Sequence, residues 1–369
     1  MAYSIQLLMV NKSTYLLTAR IAIISVLFFI SIQLMGVALK HIGGDMAQYI
    51  SQATANPFIG LFIGLLTTAI LQSSSTTTSM TVAAVAAGTL SLQNAIPIVM
   101  GANIGTTLTS TIVSMSYIAK GKEFRKALSA GSVHDIFNIL LVIMLFPLEY
   151  HFGLLSTLSQ KMTSLITFDK VGVSEPLLLS ISTNSLLTRV VEWIGPIFSL
   201  LLAFGLLFGT VKLISSILSK VLIGDAKDLF KEVVFKNTRR SFGWGVLLTS
   251  VIQSSSITSS LIVPLVATSR IKLKRAFQFL LGANLGTTLT ALLAALFRSE
   301  SAISLAFAHF LFNAIGVLLF LALPFLPKLT VNLAKKLGAI TLQYRIVGFA
   351  YIVLVFFILP FTLIYFSLR

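Results

Sequence analysis

The chain has 369 residues, 56% of them hydrophobic and only 10% charged, with a mean hydropathy of +0.96. Soluble domains carry about 25% charged residues, so this composition excludes a water-soluble enzyme, a disordered chain and a nucleic-acid binder. The net charge is +16 and there is no cysteine; Lys and Arg then read as loop residues facing anionic lipid, and thiolate metal sites and disulfide frameworks are excluded.

A helix needs about 20 apolar residues to cross ~30 Å of hydrocarbon. In chain order, the first run that qualifies is 20–39. Residues 57–71 do not qualify, because 15 residues reach only about 22 Å. They stop at Gln72-Ser73-Ser74-Ser75-Thr76-Thr77-Thr78-Ser79, and a second short run ends near Gly88. This pattern predicts a re-entrant hairpin whose polar tip lies near the membrane middle, where irregular backbone is tolerated only if buried in protein or lining a cavity. Spanning runs follow at 95–118, 131–149 and 192–213, then a basic amphipathic stretch over 214–240. Residues 242–252, Gln253 to Thr258 and 261–267 repeat the hairpin plan, and the last spanning runs are 274–297, 302–323 and 346–367.

The two hairpins belong to a longer internal repeat. Residues 72–109 align with 253–290 without a gap, at an offset of 181, with 19 identities in 38 positions. Gly101-Ala102-Asn103 and Gly105-Thr106-Thr107-Leu108-Thr109 recur as Gly282-Ala283-Asn284 and Gly286-Thr287-Thr288-Leu289-Thr290. Further on, His134-x-x-Phe137-Asn138 recurs as His309-x-x-Phe312-Asn313. Loop charges give the sense of the repeat. Loop 89–94 has no charge, whereas its partner 270–275 carries four positive charges; loop 120–126 carries four positive charges and one Glu, whereas its counterpart 298–300 is Arg-Ser-Glu. The positive-inside rule places 120–126 and 270–275 in the cytoplasm and the other two outside, so the repeats are expected to be inverted. The expected fold is an all-α polytopic membrane protein with two inverted repeats, each holding a re-entrant hairpin with a Gln-Ser-Ser-Ser tip, and with broken helices. Its first repeat is 1–170 with hairpin 57–89, its second is 171–345 with hairpin 241–270, and 346–369 is a C-terminal spanning helix. Inverted repeats with broken polar segments at the midplane mark secondary transporters.

The tips point to ion binding. The amide N–H groups that open a hairpin's second arm, and the dipole there, favour an anion. Serine hydroxyls donate to an oxyanion or offer lone pairs to a cation, and glutamine supplies a carbonyl oxygen and an amide donor. The set suits a small oxyanion beside a hard alkali cation; the alternative is that the serines pack helices and bond back to carbonyls. The Gly-Ala-Asn-x-Gly-Thr-Thr-x-Thr segments read as unwound backbone whose carbonyls coordinate Na⁺, or alternatively as Gly/Thr helix packing. Asp135 lies about a turn into an apolar run. It reads as a cation ligand, with an interfacial carboxylate as the alternative. His134 and His309 read as structural. No GxxxxGK[ST], HExxH or GxSxG motif is present, so no nucleotide or hydrolase site is expected, and the energy source must be an ion gradient or none.

At this point the chain resembles the type II sodium-coupled phosphate cotransporters. The resemblance rests on LQSSSTTTS, IPIVMGANIGTTLTSTIV, EFRKALSAGSVHDIFN, MLFPLE, IQSSSITSS, VPLV, GANLGTTLTALLAAL, HFLFNAIGVLL and QYRIVGFAY. It implies sodium-driven uptake of inorganic phosphate by alternating access in a homodimer of independent protomers, with Na⁺ as coupling ion and no other cofactor. It also implies a lipid bilayer as surroundings, no nucleic-acid partner, and a multi-pass position in a bacterial inner membrane. On this reading phosphate is bound by Ser73, Ser74, Ser75, Ser254, Ser255, Ser256, Asn103 and Asn284. Sodium is bound by Gln72, Gln253, Ser254, Thr106, Thr109, Thr287, Thr290, Asp135 and Asn138. Gln253, Ser254, Thr287 and Thr290 match a family sodium site, and Asp135 matches the acidic position of electrogenic members. Vertebrate members carry an Asp-Arg pair where this chain has Lys120-Gly121, and a long cysteine-bearing loop where residues 150–190 are short and cysteine-free. Competing readings are a symporter or exporter of arsenate or sulfate, an anion channel, and a membrane enzyme. The repeated carbonyl- and hydroxyl-rich segments speak against a channel, and no nucleophile–base set or metal cluster speaks for an enzyme.

Overall fold

The computed structural model describes residues 2–42, 52, 54–165, 183–223, 233–296 and 299–367. Among them every regular element is helical. The chain is a multi-pass membrane protein, and among the described residues seven helices are long and apolar enough to cross a bilayer. They stand where the apolar runs predicted them, with shifted ends. Many large apolar side chains remain exposed, among them Trp193, Phe198, Phe361 and Phe366, as a lipid-facing surface requires.

Helix α1 is Ala2–His41. The first hairpin consists of α2 (Pro57–Leu71) and α3 (Ser74–Ala86). Asn56 caps α2 by accepting from the Phe58 amide, and Pro57 supplies the fixed φ that a first helical turn needs. α4 (Leu92–Gly105) and α5 (Leu108–Met115) form the next span, and α6 (Lys122–Phe152) the one after. α7 (Leu154–Leu165) turns away at Gly153, whose φ is +57°; α8 (Thr183–Ile194) and α9 (Pro196–Ile223) are separated by Gly195 at φ +83°. The second hairpin is α10 (Thr238–Ile252), α11 (Ser255–Ser260) and α12 (Ile262–Ala267). α13 (Leu273–Ala295) and α14 (Glu300–Ala322) are spans, and α15 (Phe325–Gln343) follows. The last span runs from α16 (Ile346–Val353) through a π-helical turn at Leu354–Ile358 into α17 (Leu359–Ser367). Pro360 has no amide to donate, which favours the widened turn before it. Of the amphipathic stretch 214–240, residues 224–232 lie outside the described residues, as do 166–182 of the stretch 150–190 and Arg298 of 298–300.

Two expectations need correction. The polar cluster 72–79 is not an irregular tip: only Gln72 and Ser73 leave the helical conformation, and Ser74 to Ser79 are already helix. Nor are the Gly-Ala-Asn segments unwound. α13 runs unbroken through Gly282 to Thr290, and the other copy has only a two-residue turn at Thr106-Thr107, both right-handed. The glycines serve packing instead. A Cβ on Gly101, Gly105 or Gly64 would collide with the carbonyls of Leu61, Leu65 and Ile98; the equivalents Gly282, Gly286 and Gly245 press on those of Phe242, Val246 and Phe279. Each hairpin's first arm therefore lies backbone to backbone on the following span, as small residues four apart allow.

The contacts are also reciprocal between repeats. The second arm α3 packs on α13 and α14, while α11 and α12 pack on α5 and α6. α1 and α9, which precede the two hairpins, pack on each other. The polar tips are thereby held inside protein rather than against hydrocarbon.

Candidate functional site

The tips are built by identical local chemistry. Gln72 and Gln253 end their arms in the left-handed region, at φ 53° and 56°. Left-handed backbone is unusual for a residue with a side chain, and here it reverses the chain in two residues. Ser73 and Ser254 then take extended backbone and cap the second arms, accepting from the amides of Thr76 (3.2 Å) and Ile257 (3.3 Å). Capping accounts for their side-chain oxygens. Below each tip a threonine pair closes the hairpin: Thr68 with Thr77 and Thr249 with Thr258, both at 2.9 Å.

The two tips meet. The Ser75 hydroxyl donates to the Gln253 carbonyl at 2.9 Å, and the Ser256 hydroxyl donates to the Gln72 carbonyl at 3.3 Å. With the repeat offset of 181 these are the same contact made twice. Around them stand Thr290 Oγ1, 3.5 Å from Ser75 Oγ, the Thr106 carbonyl, 3.5 Å from Ser256 Oγ, and Thr287 Oγ1, 3.5 Å from Ser255 Oγ. Distances of 3.5 Å are the outer limit of a hydrogen bond. Thr109 Oγ1 is buried with no partner. Ser74 and Ser255 are buried at the head of the second arms, beside these groups. The structure thus brings Gln72, Ser75 and Thr106 of the first repeat together with Gln253, Ser255, Ser256, Thr287 and Thr290 of the second, and their side chains are neutral. The Gln72 side chain is exposed and that of Gln253 half-buried, so the carbonyls are what these glutamines present to the crossing.

The predicted asparagines form a separate set of contacts. Asn138 Nδ2 donates to the Asn103 carbonyl (2.8 Å), Asn284 Nδ2 to Asn138 Oδ1 (2.6 Å), and Asn313 Nδ2 to Asn103 Oδ1 (3.2 Å). Asn103 Nδ2 donates to the Val99 carbonyl, and His134 Nε2 lies 2.5 Å from Asn284 Oδ1. All are buried, so the amides are engaged with one another and clamp the repeats together. Asn313 belongs to this clamp and was absent from the predicted site; its place in the repeated His-x-x-Phe-Asn motif was the signal available.

Asp135 is fully buried rather than interfacial. The reason is that α6 starts at Lys122 and not near 131, so Asp135 lies well inside the helix; the charged first turns hide that start from a count of apolar residues. Its Oδ2 accepts from Thr111 Oγ1 (2.8 Å) and from Tyr351 Oη (3.1 Å). Its Oδ1 is buried with no partner, a free acceptor at membrane depth that would be costly without a cation or hydrogen bond. Tyr351 comes from the last span, 216 residues away, and sequence reasoning missed it. Lys120 is exposed, and its Nζ lies 5.1 Å from the centre of the Tyr117 ring.

Residues 27–216 and 206–354 match the family model of the Na⁺/Pi-cotransporters. The chain belongs to the Na⁺/Pi-cotransporter family. It is 31% identical to the sodium-dependent phosphate transport protein 2B of Homo sapiens over 441 residues, covering 92% of this chain and 64% of that protein. It is 32% identical to the sodium-dependent phosphate transport protein 2A of Rattus norvegicus over 414 residues, covering 90% of this chain and 65% of the relative. The chain therefore spans slightly less than two thirds of the length of these relatives. No solved structure matches it.

Proposed function

We propose that this chain is a secondary active symporter that couples inward Na⁺ flow to uptake of inorganic phosphate. The observation that carries the reading is the reciprocal crossing of the two Gln-Ser-Ser-Ser tips, Ser75 to the Gln253 carbonyl and Ser256 to the Gln72 carbonyl. A neutral cluster of hydroxyls and carbonyls suits a hard, weakly held cation and the hydroxyl-accepting oxygens of a phosphate. The family supports the same assignment. Ser74, Ser255 and the amides that open α3 and α11 are proposed to face phosphate. The tip carbonyls with Thr106, Thr109, Thr287 and Thr290 are proposed to face Na⁺, and Asp135 Oδ1 a further Na⁺. Asn103, Asn138 and Asn284 are proposed to hold the two repeats in register around these ions.

Alternating access is proposed as the mechanism, and the energetics of the crossing are compatible with it. Two neutral hydrogen bonds hold tip to tip, and each is worth about 0.5–1.5 kcal/mol net. That is small enough for bound ions to exchange for them when one repeat moves on the other. The loop charges support an inverted arrangement, with 120–126 and 270–275 on the cytoplasmic side of a bacterial inner membrane. The proposed assembly is a homodimer of independently working protomers, and the proposed activity is transport without chemical conversion.

Isotopic phosphate uptake into proteoliposomes tests the reading. Uptake should require an inward Na⁺ gradient and be abolished when K⁺ replaces Na⁺. Uptake indifferent to the Na⁺ gradient would refute coupling, and uptake of sulfate in preference to phosphate would refute the substrate.

A further inference from the structure

Away from the crossed tips, a cavity of about 1240 Å³ opens between α6, the start of α13, the end of α14 and α15. A smaller one, about 660 Å³, lies between the starts of α2 and α4, the end of α6 and α7. The two are copies of one another. Gln93 of the small cavity stands 181 residues before Lys274 of the large one; Gly153 and Gln160 stand 175 before Lys328 and Lys335, the offset that also relates His134 to His309. Glu149, which lines the small cavity, stands 175 before Pro324. At these four equivalent positions every difference runs the same way: three neutral residues become lysines and one acid is lost.

Arg125 and Lys126 of α6 and Lys272 add to the positive wall, and none of the residues lining the large cavity is acidic. Lys126 Nζ is directed to Ser269 Oγ at 2.5 Å, which leaves the other cations to the cavity. The remaining wall is apolar. Phe277 and Phe320 line it with ring centres 6.1 Å apart. Gln278, 6% exposed, also lines it, and its Oε1 is buried without a partner. Lysines that served only to set topology would be spread over solvated loops. Here they ring a concave space with an aromatic floor and an unmet hydrogen-bond acceptor.

We propose that this cavity is a second anion site, separate from the tips, that takes a phosphate group. The cations meet the phosphate oxygens, Gln278 Oε1 accepts from a hydroxyl of the ligand, and the apolar wall takes a chain where the ligand has one. An anionic phospholipid with a glycerol headgroup carries all three features, and basic pockets between spanning helices hold such headgroups. Free inorganic phosphate carries the first two.

The purified full-length chain in detergent separates the sources. In one arm it is titrated with phosphatidylglycerol or phosphatidylcholine and bound lipid is counted by native mass spectrometry. In the other, inorganic phosphate is titrated by calorimetry without lipid. Preference for phosphatidylglycerol that falls about fivefold for each of Lys274→Gln, Lys328→Gln and Lys335→Gln supports the site and identifies a lipid. A phosphate stoichiometry lowered by one in the triple variant, with no lipid preference, supports the site and identifies the free ion. Lys→Arg at the same positions should restore binding, and the single exposed change Lys328→Gln serves if the triple variant does not fold. The proposal is overturned if neither arm responds, or if Lys40→Gln with Lys212→Gln, neither of which lines the cavity, lowers binding as much.

Discussion

Ser75, on the first hairpin, donates its hydroxyl to the backbone carbonyl of Gln253, at the tip of the second, 178 residues away and 2.9 Å distant. The equivalent Ser256 returns the contact to Gln72. Each tip thereby supplies both a donor and an acceptor to the other, so the geometry of one repeat's tip depends on the position of the other repeat.

Ser75→Ala and Ser256→Ala should each lower apparent affinity for phosphate or Na⁺ by up to about tenfold while leaving expression intact. Loss of a neutral hydrogen bond is worth about 0.5–1.5 kcal/mol. Ser74→Ala and Ser255→Ala should raise the apparent KM similarly, or by more where the hydroxyl meets a charged ion, about 1.5–3 kcal/mol. Initial-rate uptake in proteoliposomes measures both. Wild-type kinetics at all four positions would reduce these serines to packing residues.

Asp135 should contribute charge to the coupling. Asp135→Asn should leave phosphate transport running with a lower Na⁺ Hill coefficient and a smaller current per phosphate. Each charge moved is worth ~2.3 kcal/mol per 100 mV, so the concentrating power should fall measurably. Tyr351→Phe removes one of the two donors to Oδ2 and should change Na⁺ affinity without changing the charge-to-phosphate ratio. Solid-supported-membrane currents with parallel isotope uptake separate the two effects; an unchanged ratio in Asp135→Asn would remove the carboxylate from the ion site.

The glycine contacts predict a stability contrast. Gly101→Ala and Gly282→Ala place a methyl group against the carbonyls of Leu61 and Phe242. Overpacking of this kind costs about 1–3 kcal/mol, and the melting temperature in detergent should drop. Gly36, also in a spanning helix, has nothing within 4 Å of the added Cβ, so Gly36→Ala should leave the melting temperature unchanged or raise it. Equal effects at all three would mean that the close backbone approach does not hold the hairpins.

Orientation can be read chemically, because the chain has no cysteine. Single cysteines at Gln93 and Lys272, both exposed, should label with an impermeant maleimide from opposite faces of the membrane. Labelling from one face would end the inverted arrangement.

The sequence by itself determined the membrane class, the seven spans, the two short-armed hairpins and the repeat that relates them. These are local properties: the length of an apolar run, the residues that interrupt it, and polar identities in register. The same locality limited it. A count of apolar residues began α6 at 131 and left Asp135 near a surface, because the amphipathic turns from Lys122 onward look like loop. Two glycines and an asparagine in a span read as unwound backbone, with close packing as the alternative, and only the neighbouring arm, with its carbonyls against Gly101 and Gly282, decides for packing. Tertiary structure alone set Tyr351 on Asp135 and joined Asn103, Asn138, Asn284 and Asn313. It did so because a buried polar group takes its partner from whichever helix packs beside it, and that neighbour can lie 216 residues away where no spacing rule reaches.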